Sequence, residues 1–349
     1  MRYLTILLVL TINTFANASE LNVAFIYQHP VSAGGWSLTH DLGRQGVEEY
    51  FGNRVETTAI EGITPGPDTV RILTRLGRED YDMVFATSFG HMNGVVRVAR
   101  SYPETIFEHA SGYKLAPNIG TYQIRAYEGR FLAGVLAGSM TESGKLGFVA
   151  AFPIPEVVRG INAFLLGARQ VRSDASLNVI WINTWMDPGK SREAAELLID
   201  QDVDVLTHHT ESAAIIVAAE QRGVFSIGYQ HDRSAAGPTK HLASVEHNWT
   251  PIYVDIIESK LNNRWQSRQR WVGLSENATR LVGISKDIPE DVHKRIDEIT
   301  QSIINKDMHV FSGPIFDTKG TERVAFGESI DDVELQRMEW FAQGVLQSQ

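Results

Sequence analysis

The chain has 349 residues, 43% of them hydrophobic, which is too long for one compact core and enough for two domains of ordinary size. Its 42 acidic against 32 basic side chains give a net charge of −10, which disfavours a nucleic-acid or other polyanionic partner. Cysteine is absent, so disulfides, thiolate metal sites, cysteine nucleophiles and a lipidated cysteine anchor are excluded together.

Met1-Arg2 supplies one positive charge, and Tyr3 to Ile12 then runs in Leu, Ile, Val and Thr, far short of the ~20 residues that span a bilayer. The run ends at Ala16-Asn17-Ala18, a small-x-small cleavage pattern, so residues 1–18 are expected to be a signal peptide and the mature chain to start at Ser19, free in the periplasm. Leu21 to Tyr27 reads as the first strand, Gly43 to Tyr50 and Asp68 to Leu76 as helices, and Tyr81 to Thr87 as a strand ending at Ser88-Phe89-Gly90. Thr105 to Ala110 and Ile119 to Tyr122 are short strands separated by a loop at Pro117.

A second series of the same kind follows a polar, glycine-containing junction at Thr141 to Gly144. Lys145 to Ala151, Asn178 to Trp185, Val203 to Thr207 and Val224 to Gly228 read as strands, and Pro155 to Val171, Ser191 to Gln201 and Ala213 to Arg222 as helices, the first opened by proline and the last closed by Gly223. Strands alternating with helices predict an α/β protein of two doubly wound parallel-sheet lobes joined by a hinge. The expected division is a first lobe over 19–142, a second over 143–250, and a tail over 251–349 shared between the lobes.

In open parallel sheets, ligands bind beyond the carboxyl ends of the strands. Here those ends carry Trp36 after the first strand, then Phe89, Trp185, His208-His209 and Tyr229-Gln230, an aromatic set suited to closing on a flat ligand. Gly34-Gly35 lacks both phosphate-loop spacings and is better read as letting the backbone turn to present Trp36. Adjacent histidines on a strand point to opposite faces and no His-x3-His spacing occurs, so His208-His209 argues for one hydrogen-bonding histidine rather than a metal site. No nucleophile elbow or zincin helix occurs, and Glu128, Glu211 and Asp232 read as hydrogen-bond acceptors or helix-terminal charges, so the chain is not expected to be an enzyme or to carry a cofactor.

Asp82-Met83-Val84-Phe85-Ala86-Thr87-Ser88-Phe89-Gly90, Tyr127-Glu128-Gly129-Arg130-Phe131-Leu132-Ala133-Gly134, Lys145-Leu146-Gly147-Phe148-Val149, Pro153 to Asn162 and Asp187-Pro188-Gly189-Lys190 follow one another in order along nearly the whole mature chain. Together they resemble the successive motifs of the basic membrane protein family, the substrate-binding proteins of certain ABC transporters. The resemblance implies the type I periplasmic-binding fold, an ABC permease in the inner membrane as partner and a monomeric binder. In the nucleoside-binding branch a GVDSDQ segment carries a ribose-gripping aspartate. Here that segment is Gly228-Tyr229-Gln230-His231-Asp232-Arg233, with Gln230 at the ribose position and only the second aspartate kept, as Asp232.

Gly35-Trp36, His40-Asp41, His109 to Lys114 and Trp185 instead resemble the purine-base-binding branch, which holds adenine or similar bases. The expected ligand is thus an adenine- or guanine-like base, with a nucleoside, or a ligand-sensing output, as the alternative. Trp36 and Trp185 are expected to stack on it from different lobes, with Phe89 and Tyr229 completing the wall. Asp232, with His209 and Asp187, is expected to bond the ring edge. Base–aromatic stacking supplies ~1–3 kcal/mol per contact against the ~8 kcal/mol of micromolar binding, so edge hydrogen bonds must supply the rest.

Overall fold

The computed structural model describes residues 19–348; the expected signal peptide lies outside the described residues. No helix among them is long and apolar enough to cross a membrane. The first lobe alternates β1 (Leu21–Ile26), α1 (Gly35–Phe51), β2 (Val55–Ile60), α2 (Pro67–Arg78), β3 (Met83–Ala86), α3 (Met92–Ala99), β4 (Ile106–Ala110) and β5 (Ile119–Ile124). α4 (Ala126–Met140) leads to the second lobe, in which β6 (Lys145–Ala150), α5 (Pro155–Arg169), β7 (Ser176–Trp181), α6 (Pro188–Ile199), β8 (Val205–His209), α7 (Ala214–Arg222), β9 (Phe225–Gln230) and β10 (His241–His247) follow. The tail adds α8 (Thr250–Leu261), β11 (Gln269–Val272), β12 (Thr279–Val282), α9 (Glu290–Ile304), β13 (Ile315–Phe316), β14 (Glu322–Val324), α10 (Asp332–Gln336) and β15 (Val345–Ser348).

The two large sheets run in the orders β11-β5-β4-β3-β1-β2 and β12-β10-β9-β8-β6-β7-β15. All pairs in them are parallel except β10 with β12. Without the tail strands, both orders read 2-1-3-4-5 within their own lobe, the doubly wound arrangement whose switch point lies beside the first strand of each set. β1 and β6, buried along almost their whole length, are interior strands paired on both sides, which explains their apolar composition.

The predicted junction near Thr141 falls one helix late. α4 packs with the second lobe, where Phe131, Leu132, Val135 and Leu136 share a core with Phe148, Ile161, Phe164 and Leu165 of β6 and α5. Close approach of the two helix backbones is the reason. A Cβ on Gly134 would stand 2.0 Å from the Phe164 carbonyl oxygen, and one on Gly167 2.0 Å from that of Phe131, so only glycine at both positions allows this packing. The chain therefore crosses at Arg125, returns at Asn248 so that Trp249, Ile252 and Tyr253 join the first lobe's core, and crosses again between β11 and β12. Three crossings make the hinge. β15 then closes the far edge of the second sheet against β7.

Candidate functional site

A cavity of about 420 Å³ lies where the strand ends of the two sheets meet, within the ~300–1,000 Å³ typical of small-molecule sites. From the first lobe it is lined by Gln28, Trp36, Pro65, Ser88, Phe89, Gly90 and Ser111, and from the second by Phe152, Pro153, Ile154, Glu156, Trp185, His209, Glu211 and Gln230. Nearly all stand within a few residues of a strand end, where the doubly wound topology puts them.

Trp36 is fixed by contacts within the protein. Gly34 and Gly35 take φ of 79° and 64°, turning the chain into α1 so that Trp36 stands in its first turn. Its indole N–H donates to the Thr87 carbonyl, and its ring meets His40 and Trp249 edge-on at 4.7 and 5.2 Å. His40 stacks on Trp249 at 4.1 Å, and Trp249 donates to Thr39 at 3.1 Å, so an aromatic column continues behind the cavity wall. Trp185 is held differently. β7 ends at Trp181, not at Trp185 as the alternation predicts, and Asn183 at φ 52° turns the chain so that Trp185 stands in a loop. Its ring meets Phe152 at 5.2 Å and His209 at 6.1 Å, and its carbonyl accepts from the Glu211 N–H at 2.9 Å.

Of the other residues expected at the site, Phe89 and His209 line the cavity, whereas Tyr229, Asp187 and Asp232 do not. Successive strand residues face opposite sides, and with Gln230 turned to the cavity Tyr229 lies one layer behind it. There it packs under the Arg130 guanidinium at 3.4 Å and against the His209 ring at 4.5 Å. Asp187 caps α6 by accepting from the Lys190 N–H at 3.0 Å. Asp232 is exposed and accepts from the Ser234 N–H at 2.8 Å. Its neighbour Arg233 is the buried one, donating to the Glu211 carbonyl at 2.9 Å.

The polar groups that the expectation for the ring edge missed are Gln28, Ser88, Ser111, Glu156, Glu211 and Gln230. Their signal was the strand-end rule itself, which does not discriminate between neighbours in a loop. Ser88 donates to Gln28 at 2.5 Å, and Ser111 donates to Glu156 at 2.7 Å across the cleft. Gln230 sits at φ 77° and Ser111 at φ 56°, a left-handed conformation costly for non-glycine residues and concentrated at functional sites. Burial pushes the Glu156 carboxyl up, and burial together with the Arg130 charge holds His209 well below the ordinary histidine range, so His209 is neutral. The nearby Arg130 is itself fully buried and lowered to about 10 by desolvation. His29 of the first lobe pairs with Glu211 of the second at 2.8 Å, so the lobes are in contact on both sides of the cavity.

Two α/β lobes closed over a central cavity, with three crossings between them, define a type I periplasmic solute-binding fold. Solved structures of the same form include ABC transporter solute-binding proteins from Conexibacter woesei (TM-score 0.69, 19% identity, covering 83% of this chain and 98% of that one) and Aeropyrum pernix K1 (TM-score 0.70, 19%, 83% and 92%). The model of the PnrA-like ABC transporter substrate-binding proteins, the Bmp family, matches residues 20–312, and this chain belongs to that family. A purine-binding protein of Brucella abortus (strain 2308) is 40% identical over 331 residues, 95% of this chain and 94% of that protein. A Haloferax volcanii protein provisionally named as an ABC transporter glucose-binding protein is 37% identical over 330 residues, 95% of this chain and 81% of that protein.

Proposed function

We propose that this protein captures a purine base, adenine- or guanine-like, between its lobes in the periplasm and, as a monomer, presents it to an ABC permease in the inner membrane. The observation that carries the reading is the pair of tryptophans, Trp36 and Trp185, which reach one cavity from opposite lobes with Phe89 and Phe152 beside them. Aromatic faces on both sides suit a flat π-system, and each stack contributes ~1–3 kcal/mol. The name of the Brucella relative supports the same ligand class. Gln230 supports a free base over a nucleoside: it stands where the resemblance expects the ribose-gripping aspartate, and a neutral amide replaces the charged acceptor that would hold a sugar diol. Closure is favoured because only the closed arrangement makes both sets of contacts.

The test is calorimetry on ligand-stripped protein with adenine, guanine, hypoxanthine, xanthine, their nucleosides and glucose. Binding of at least one base at micromolar affinity or tighter is expected. Absence of binding by every base overturns the reading. Tight nucleoside binding without base binding restores the nucleoside alternative, and binding of glucose alone moves the ligand to the class in the Haloferax relative's name.

A further inference from the structure

Residues 313–348 follow the stretch that matches the family model, and they are rooted in the second lobe. Ile315, Leu335, Met338 and Val345 are buried in its core, and β15 pairs with β7. Asn162 of α5 fastens the segment from inside: its amide donates to the Trp340 carbonyl at 2.8 Å and its oxygen accepts from the Ala342 N–H at 2.9 Å. The tail therefore moves with the second lobe.

From that base α10 reaches the first lobe at two points. Asp332 accepts from both terminal nitrogens of Arg125 at 2.6 Å each, and Gln336 donates to Gln269 at 3.2 Å. Both partners belong to the first sheet. Arg125 follows β5 and its N–H donates to the Val272 carbonyl at 2.6 Å, while Gln269 opens β11 beside Thr121. Between the two points stands Trp271, with Arg125 at 4.5 Å from its ring and Arg159 of the second lobe at 4.9 Å. Arg159 in turn donates to the Leu335 carbonyl of α10 at 2.6 Å.

Arg125 marks the first crossing, so it lies near any axis about which the lobes rotate. Gln269 does not: it is level with Thr121, and Arg125 is roughly 13 Å further along the strand. A rotation of about 15° moves a point at that radius by up to about 3 Å, more than a hydrogen bond tolerates. The guanidinium–carboxylate pair, held at both arms, also depends on orientation. A segment rooted in one lobe and gripping the other at two separated points cannot follow both when they part.

We propose that residues 313–348 are a hinge strap, which holds the first lobe through Asp332–Arg125 and Gln336–Gln269 and biases the lobes towards the closed arrangement whatever the cavity contains. The strap raises the population of the binding-competent form, so it strengthens every ligand by one factor and sets no preference among them.

The experiment reads lobe separation directly. The chain has no cysteine, so a dye pair can be placed on Tyr113→Cys and Leu197→Cys, exposed positions in the first and second lobes, for single-molecule energy transfer. The strap variant Asp332→Ala/Gln336→Ala is compared with the wild-type background and with Glu339→Ala, which removes an exposed carboxylate of the same tail. Adenine and guanine are titrated from zero, and thermal melts establish that each variant is folded. The strap variant should show a smaller closed fraction at zero and at every subsaturating concentration, with calorimetric affinity for both bases lowered by the same factor, about three- to tenfold. Glu339→Ala should follow wild type. Equal closed fractions in the strap variant and wild type throughout, a loss confined to one base, or an equal loss in Glu339→Ala overturns the proposal and leaves the purine reading standing. Failure of any base to bind overturns the purine reading, and the closed fractions at zero ligand still decide on the strap.

Discussion

The two walls of the cavity are built on opposite plans. The first lobe contributes Gln28, Trp36, Pro65, Ser88, Phe89, Gly90 and Ser111, none of them ionisable at neutral pH, and its tryptophan is clamped by a carbonyl and an aromatic column. The second lobe contributes every ionisable lining residue, Glu156, His209 and Glu211, and its tryptophan stands in a loop held largely through its backbone. One wall is a preorganised platform, which lowers the ordering cost of binding. The other carries all the ionisable groups of the lining. The difference is possible because the walls come from two different sheets.

The sharpest way to break the comparison is at the line where the walls touch. Gly35→Val puts branched atoms at a site where even a Cβ clashes with Glu211 and where φ is 64°, so the closed state is blocked. Ligand affinity should fall more than about 100-fold, beyond the loss of one stacking contact, with closure lost in small-angle scattering of the ligand-saturated protein. A variant that still closes and binds as wild type would refute the direct lobe contact.

The tryptophans come next. Trp36→Ala and Trp185→Ala should each weaken binding by roughly 10–100-fold, the worth of one stack. They should differ in stability: removing Trp36 leaves a void in a packed column and should cost roughly 3–5 kcal/mol in denaturant unfolding, whereas removing Trp185 from its loop should cost well under half of that. Equal stability losses would contradict the platform-and-loop distinction.

The smallest effect is on pH. The hydrogen bond to Glu211 raises the His29 pKa in the closed form, opposed by partial burial. Protonated His29 is the form that the pair favours, so its contribution to closure is complete below the ordinary imidazole value of about 6.5 and fades as pH rises through the higher closed-state value. Other charged groups nearby are Arg233, close to Gly34, and Glu61, which accepts from the Val31 N–H. Affinity should drop a few-fold across that alkaline limb, and His29→Gln should flatten it. A drop of the same size in His29→Gln would assign the titration elsewhere.

Much of the fold was legible because it rests on local patterns. Short β-branched runs alternating with helical segments mark both doubly wound units, and Pro155 and Gly223 mark helix ends where the structure has them. α3 escaped that reading because it spans only two turns, although Met92, Val95, Val98 and Ala99 share its buried face, and β2 and the strands of the tail escaped because they are short and half-exposed. At the site, Trp36, Phe89, Trp185 and His209 were legible from the strand-end rule, which needs only topology. Asp187, Tyr229 and Asp232 satisfied the same rule and lie outside the lining, because a turn of one residue decides which side chain faces the cleft.

By itself the sequence determined the class of fold, the two-lobed organisation and the aromatic character of the strand ends, since periodicity and composition act over neighbouring residues. Only the tertiary structure decided that α4 belongs to the second lobe, that the tail supplies β11 to one sheet and β12 and β15 to the other, and that Glu211 meets His29 and Gly35. Those outcomes depend on contacts between residues far apart in the chain. Glu211 and His29 are separated by 182 positions, and no local signal records that one carboxylate oxygen is paired across the cleft while the other has no partner among the described residues.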